Sequence, residues 1–418
     1  MIFFLVSDII CFVLLPQSPM FLKIAFISYW SCPLTKVGVL ASGGMNIYVL
    51  SLANYLGKLG HKVDIYTRVH KENDEKILQT NKNVRIIHLA AANIKDTDFF
   101  SYKVQLFIKK SKLKYDILHT HYFYSGLIGL ELRKRLAIPL LSTFHSLGKT
   151  KELYVGIRDA FRIDAEKKIV SKADGIIAST ELEKSDLMES YKGEGKKIFV
   201  LSPGVNHHLF KPKNKVLSRL KLNLPLKPKT ILFVGRIDPI KGISFLIEAI
   251  VKLTRQYRTF EKNYRVLLIG GDISSSIFWA NSEVKKIKQM ILSKNLECCI
   301  KFIGSRPHHL LPDYYSASDV LVAPSLYESF GLVVLEAMAS GACVLVSRVG
   351  GLKYLVKDKV NGRFFENGDV ISLSDILWKL LNNKKERLRL GSNAFVSSQR
   401  FCWDIQAKKM EDVYKRFL

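Results

Sequence analysis

The sequence predicts an α/β protein made of two doubly wound, Rossmann-like domains that face each other across a cleft. Three observations carry that prediction. Short apolar runs, without alternation, repeatedly precede stretches of helical periodicity, as strands buried on both faces of a parallel sheet do. The pattern is interrupted over residues 203–228 by a segment rich in Pro, Lys and Asn, and then restarts. The length of 418 residues suits two or three domains, each with its own core.

The first set of strands begins at Lys23 (KIAFIS), Lys62 (KVDIYT), Val84 (VRIIHL), Tyr115 (YDILHT), Ile138 (IPLLST), Gly175 (GIIAS) and Lys197 (KIFVLS). Between them Asn46–Leu59 and Ser125–Leu136 read as helices. The second set begins at Thr230 (TILFVG), Arg265 (RVLLIG), Ile300 (IKFIG), Val320 (VLVAPS) and Cys343 (CVLVS). Trp403–Phe417 reads as an amphipathic helix. The expected organisation is an apolar extension over 1–19, a first domain over 20–205, a second over 206–399 and a terminal helix over 400–418 that crosses back to the first domain. Asp8 and Pro16 interrupt the extension, which falls short of the roughly 20 residues of a membrane span and has no basic start like that of a signal peptide. It is read as lying upstream of a start at Met20.

Hydrophobic content of 48% and charged content of 24% exclude a largely disordered chain. The net charge is +27, with 29 basic and 19 acidic side chains in residues 1–205 against 35 and 18 in residues 206–418. The basic residues are scattered, with no arm interleaved with aromatics, which argues against a specific nucleic-acid site. A solvated basic surface fits best, with peripheral contact to an anionic membrane as a second reading. The six cysteines contain no C-x-x-C, so neither a disulfide framework nor a zinc site is expected, and a cytoplasmic location fits. Adjacent Cys298 and Cys299 read as part of a strand, one facing the core.

Three constellations carry chemistry. The first strand leads into a glycine turn, Gly43-Gly44-Met45-Asn46, ahead of a helix. There backbone N–H groups can approach a diphosphate. Neither G-x-G-x-x-G nor G-x-x-x-x-G-K-[ST] is present. The second domain opens with Gly235-Arg236-Ile237-Asp238-Pro239-Ile240-Lys241-Gly242, which sets two cations at a strand's carboxyl end, where they can neutralise a leaving diphosphate. Third, Glu328 and Glu336 lie eight apart around a strand-to-helix turn, with Glu336 expected about two turns into the helix. A carboxylate on an otherwise apolar helix needs a partner. Asp96-Thr97-Asp98 is a D-x-D in a polar loop and is not read as a metal site.

Together these segments resemble the retaining GT-B glycosyltransferases of family 4. Within that family the likeness is first to the inositol-phosphate glycosyltransferases and next to the sucrose-phosphate synthases. It rests on GGMNIYVLSLA (from Gly43), HKVDIYTR (from His61), HTHYFYSGLIG (from His119), TFHSLGKTK (from Thr143), LSPGVNHHLF (from Leu201) and ESFGLVVLEAMASG (from Glu328).

The resemblance implies that Arg236 and Lys241, with the Gly43–Gly44 backbone, hold a donor diphosphate. It implies that Glu336 binds the nucleotide ribose and that Arg306 flanks the base. Glu328 and the segment Phe330, Gly331, Leu332 and Val333 would bind the donor, and His145 would sit at the reaction centre. On the acceptor side it implies an anion pocket of Asn46, Lys95, Tyr122, Ser146 and Arg162. A nucleotide-diphosphate sugar, UDP-linked by preference, is then a co-substrate, with no cofactor or metal required. The other substrate would be a phosphate-bearing polyol or sugar, and a homodimer is compatible with this reading. Two alternatives stand beside it: a membrane-associated enzyme acting on a lipid or polysaccharide, and a non-catalytic nucleotide-sugar-binding protein.

Overall fold

The computed structural model describes residues 21–35, 43–70, 74–91 and 93–418. The apolar extension over 1–19 and Met20 lie outside the described residues.

The two doubly wound sheets expected from the sequence are present. The first contains β1 (Lys23–Ile27), β2 (Lys62–Arg68), β3 (Ile77–Asn81), β4 (Val84–Leu89), β5 (Ile117–His121), β6 (Leu140–Thr143), β7 (Gly175–Ala178) and β8 (Ile198–Val200), in the order β3-β4-β2-β1-β5-β6-β7-β8. The second contains β9 (Lys229–Val234), β10 (Tyr264–Ile269), β11 (Ile300–Phe302), β12 (Val320–Ala323), β13 (Val344–Ser347) and β14 (Arg363–Phe365), in the order β11-β10-β9-β12-β13-β14. Every pairing is parallel except β3 with β4. That antiparallel edge departs from the all-parallel reading.

Burial explains the unalternating strands. Along β1, Ala25 and Ile27 enter one core while Ile24 and Phe26 enter the core on the opposite face. A strand sandwiched between two helical layers needs apolar residues on both sides, and each fully buried Ile or Phe contributes about 1.5–3 kcal/mol. The second sheet repeats the arrangement: Ile231 and Phe233 of β9 face one core and Leu232 the other.

The chain crosses between the domains twice, side by side. The Val205 N–H donates to the Phe401 carbonyl at 2.7 Å, and Val205 forms a parallel bridge with Cys402. Helix Trp403–Tyr414 then packs on the first domain, where Trp403, Met410 and Tyr414 join the core that holds Leu52 and Ile24. Both sheets reverse their winding next to their first strand, between β1 and β5 and between β9 and β12. Ligands of doubly wound sheets bind beyond strand carboxyl ends at such points.

Three local expectations are corrected. Asp96 is the N-cap of helix Thr97–Lys110, accepting from the Phe99 N–H at 3.0 Å, so the D-x-D is a helix start and not a free loop. Cys298 and Cys299 form the turn before β11 rather than part of it, with Cys299 buried and Cys298 exposed. Glu336 lies just over one turn into its helix, because that helix starts only at Leu332.

Candidate functional site

A cleft of about 570 Å³ lies between the domains. Its walls are the segments that follow β1, β5 and β6 on one side and β9, β12 and the turn before helix Leu332–Ala339 on the other.

On the second domain, local chain chemistry fixes the cations. Asp238 caps a short 3₁₀ turn, Pro239–Lys241, by accepting from the Ile240 N–H at 3.1 Å. Gly242 follows with φ +62°, and a Cβ there would lie 2.0 Å from the Pro324 carbonyl oxygen. Only glycine allows the two loops to meet so closely. The contact brings Lys241 Nζ to 2.5 Å from Glu328 Oε2, with the Ser325 hydroxyl 3.4 Å from the same oxygen. Arg236 remains 40% exposed, and its nearest carboxylate, Asp238, is 3.6 Å away. It is therefore available to an incoming anion.

Gly331, at φ +100°, turns the chain into helix Leu332–Ala339, whose N-terminal residues line the cleft. Glu336 on that helix is buried, and both its oxygens are engaged: Oε1 lies 2.6 Å from His308 Nε2, and Oε2 accepts from the Tyr315 hydroxyl at 3.0 Å. Burial disfavours the His308 cation, but the neighbouring carboxylate outweighs it and raises the imidazole's pKa. The sequence argument that Glu336 needs a partner was sound; it did not name His308 or Tyr315. Arg306 lines the same wall, its Nε donating to the Tyr314 hydroxyl at 3.2 Å.

On the first domain, His145 adopts φ +63°, and its Nε2 lies 3.2 Å from His121 Nδ1. Burial pushes the His145 pKa down to about 3, so the ring is neutral near pH 7. Arg162 is buried and held in place: its Nε donates to Glu166 Oε1 at 2.7 Å, its Nη2 donates to the Ser146 hydroxyl at 3.0 Å and to the Ser146 carbonyl at 2.5 Å, and its guanidinium lies over the Tyr122 ring at 4.9 Å. Asn46 is tied to Ser31 and Cys32, while its Oδ1 is buried with no partner among the described residues.

Gly43, Gly44, Asn46, Tyr122, His145, Ser146 and Arg162 from one domain thus share a cleft with Arg236, Lys241, Arg306, Glu328, Phe330, Gly331, Leu332, Val333 and Glu336 from the other. Lys95 is not brought to it. That residue lies exposed on the turn before helix Thr97–Lys110, its backbone N–H donating to Asn93 Oδ1. Sequence reasoning missed Trp30, Lys151, Asp159, Ser305 and Ser329, which also line the cleft. Among the described residues, no group of three or more His, Cys, Asp or Glu side chains could hold a metal ion. No helix among them is long and apolar enough to cross a membrane.

Two Rossmann-like domains facing each other across one cleft define the GT-B type of enzyme. Comparison with known proteins makes this specific. Residues 42–209 match the model of Glycosyltransferase Family 4, and residues 215–396 that of Glycosyl transferases group 1. The chain is 34% identical over 409 residues to the D-inositol 3-phosphate glycosyltransferase of Corynebacterium glutamicum (strain R), covering 94% of this chain and 96% of that protein. It is 32% identical to the sucrose-phosphate synthase of Thermosynechococcus elongatus, with a TM-score of 0.86 over 94% of this chain and 98% of that one. Anabaena HepE, solved with UDP and glucose, shares the fold at a TM-score of 0.76 and 20% identity, covering 94% of this chain and 99% of that one. The chain belongs to the group 1, family 4 glycosyltransferases.

Proposed function

We propose that this glycosyltransferase moves a hexosyl or N-acetylhexosaminyl unit, with retention, from a nucleotide-diphosphate sugar (UDP-linked by preference) to a phosphate-bearing polyol or sugar such as an inositol phosphate. The observation that carries the reading is the pair of cationic groups on opposite walls of one cleft, Arg236 and Lys241 on the second domain and Arg162 with Ser146 on the first. A donor diphosphate on one wall and an acceptor phosphate on the other hold the donor's anomeric carbon and the acceptor hydroxyl in one place, the positioning that converts a bimolecular step into an effectively unimolecular one.

In this reading the C1–O bond to the diphosphate breaks as the acceptor hydroxyl adds to C1 on the same face, and the hydroxyl proton passes to the departing diphosphate oxygen. Charge grows on that oxygen, and Arg236 and Lys241 stabilise it. Glu328 steers Lys241 and accepts from donor sugar hydroxyls. Neutral His145 serves the reaction centre as a hydrogen-bonding group. Glu336, held by His308 and Tyr315, accepts from the ribose. No resident cofactor enters this scheme.

The test is a panel of nucleotide sugars crossed with phosphorylated and unphosphorylated acceptors, read by UDP release and by NMR of the new glycosidic bond. Transfer to a phosphorylated acceptor, with the donor's anomeric configuration kept, is expected. Transfer only to lipid-linked or unphosphorylated acceptors, or an inverted product, would overturn it.

A further inference from the structure

We infer that Trp30 is a stacking platform for the acceptor, and that it selects a cyclic phosphorylated polyol or sugar over an open-chain one. This deepens the acceptor reading above and rests on it.

Of the four tryptophans, Trp30 alone lines the cleft. It follows the carboxyl end of β1, at the sheet's switch point, and is half-buried. Its ring lies parallel to that of Tyr124, 4° apart in plane and 5.7 Å between centroids. It also meets Tyr122 at 5.5 Å. Tyr122 in turn carries the Arg162 guanidinium at 4.9 Å. An aromatic surface and the acceptor-side cation are therefore joined through one tyrosine.

The loop bearing Trp30 is held rigidly. The Tyr29 N–H donates to the Ser125 hydroxyl at 3.0 Å, and the Ser28 hydroxyl donates to the Ser31 carbonyl at 2.9 Å. Asn46 Nδ2 donates to the Ser31 hydroxyl at 2.8 Å and to the Cys32 carbonyl at 2.6 Å. A second, independent observation points to a ligand. Asn46 is 1% exposed, yet among the described residues its Oδ1 has no partner, although a buried amide oxygen ordinarily finds a donor.

The chemistry that matches these features is a ring with a phosphate. A cyclitol or pyranose has a face of C–H bonds and a rim of hydroxyls. The C–H face can cover an indole ring, which removes apolar area from water on both sides. The phosphate can reach Arg162 and Ser146, and a rim hydroxyl can donate to Asn46 Oδ1 after a small side-chain shift, since that oxygen is enclosed. An open-chain polyol phosphate carries the same anion but presents no comparable flat face. The shared anion gives both classes affinity, and the ring face separates them.

The test is calorimetric titration at saturating UDP of inositol 3-phosphate and of glycerol 3-phosphate into the wild-type protein, Trp30→Ala and Trp30→Phe. The wild-type protein should bind the cyclic phosphate more tightly, by on the order of tenfold. Trp30→Ala should lose roughly that factor for inositol 3-phosphate and little for glycerol 3-phosphate, and Trp30→Phe should recover part of it. UDP affinity and melting temperature of each variant report whether the fold is intact. Trp30→Phe remains informative where Trp30→Ala does not fold. Equal binding of the two phosphates, or unchanged discrimination in the variants, would overturn the platform and leave the acceptor reading standing. Binding of UDP with no binding of either phosphate would overturn both.

Discussion

The hydroxyl of Ser329, on the second domain, donates to the backbone carbonyl of His145, on the first, at 2.8 Å. This bond spans the cleft beside Glu328 and ends on a residue whose left-handed backbone costs a non-glycine side chain about 1–2 kcal/mol. Two further contacts cross nearby. Tyr154 and Tyr327 stack at 5.4 Å, and a Cβ on Gly44 would lie 3.1 Å from Leu332 Cδ1. The Glu328–Ser329 loop and His145 are thus positioned by each other. Ser329→Ala should lower transfer kcat by roughly three- to tenfold, the worth of one hydrogen bond, with little change in melting temperature. Ser329→Thr should restore part of the loss. Wild-type kcat in Ser329→Ala would remove the bond from the reaction's geometry.

Lys241 is the sharper test of the donor side. Its ammonium is 2.5 Å from Glu328 Oε2, and the pair is about a fifth exposed at each side chain. Removing one partner of so largely buried a pair costs some stability, but a cation set against a departing diphosphate, as proposed, acts where charge develops and its loss falls mainly on turnover. Lys241→Ala should therefore lower kcat by about 100-fold or more in a protein whose melting temperature falls modestly and which stays folded at the assay temperature. Near-wild-type turnover would show that the diphosphate is stabilised elsewhere.

Much of this architecture was legible in the sequence because buried parallel strands leave continuous apolar runs, and β1, β9, β10 and β12 all do. The β3 segment ILQTN does not: it is a half-exposed edge strand flanked by polar residues. The three residues of β14 are too few to stand out. At the site, motif spacing named the residues on each loop but not the contacts between loops. His308 meets Glu336 across 28 residues of sequence, and Ser329 meets His145 across 184. Trp30 looks from the sequence like one more aromatic at a strand end. Lys95 shows the converse: only the family resemblance implied it for the acceptor side, and the turn on which it folds holds it exposed and outside the cleft lining.

Variants of Arg162 tell its part in folding from its proposed part in acceptor recognition. It is 5% exposed and paired with Glu166, which is fully buried and also accepts from the Gly148 N–H at 2.8 Å and the Tyr191 hydroxyl at 2.5 Å. Arg162→Ala strands that carboxylate and should destabilise the protein by about 3–5 kcal/mol in urea unfolding. Arg162→Lys keeps the charge but gives up the planar fork shared by Glu166 and Ser146. It should raise the KM for a phosphorylated acceptor by roughly tenfold with UDP affinity moving far less. A parallel loss of UDP affinity would place Arg162 on the wrong side of the cleft chemistry.

The histidine cluster predicts how stability depends on pH. His119, His121 and His145 lie in sequence through the core, with ring centroids 4.5 Å apart for the first pair and 5.4 Å for the second. His119 Nδ1 and the Tyr414 hydroxyl of the returning helix are 2.7 Å apart, and His119 Nε2 and the Thr143 hydroxyl are 2.8 Å apart. Burial, with a smaller effect of His145, pushes His119 down to about 3; burial alone brings His145 to about 3, and His121 falls well below its usual value. Their folded pKa values lie below the unfolded value near 6.5, so the unfolded chain binds more protons in the interval between them. Stability is therefore full above about pH 6.5 and declines as pH falls towards 3. Each such histidine contributes about 1.4 kcal/mol per pH unit to that decline. Urea midpoints should hold steady from pH 8 to 7 and drop steeply from pH 6 to 4.5. In His119→Asn, which removes one of the three rings, stability at pH 8 should be lower and the acid-side slope shallower. A wild-type midpoint unchanged between pH 7 and 5 would mean that these rings are not buried neutral in the folded protein.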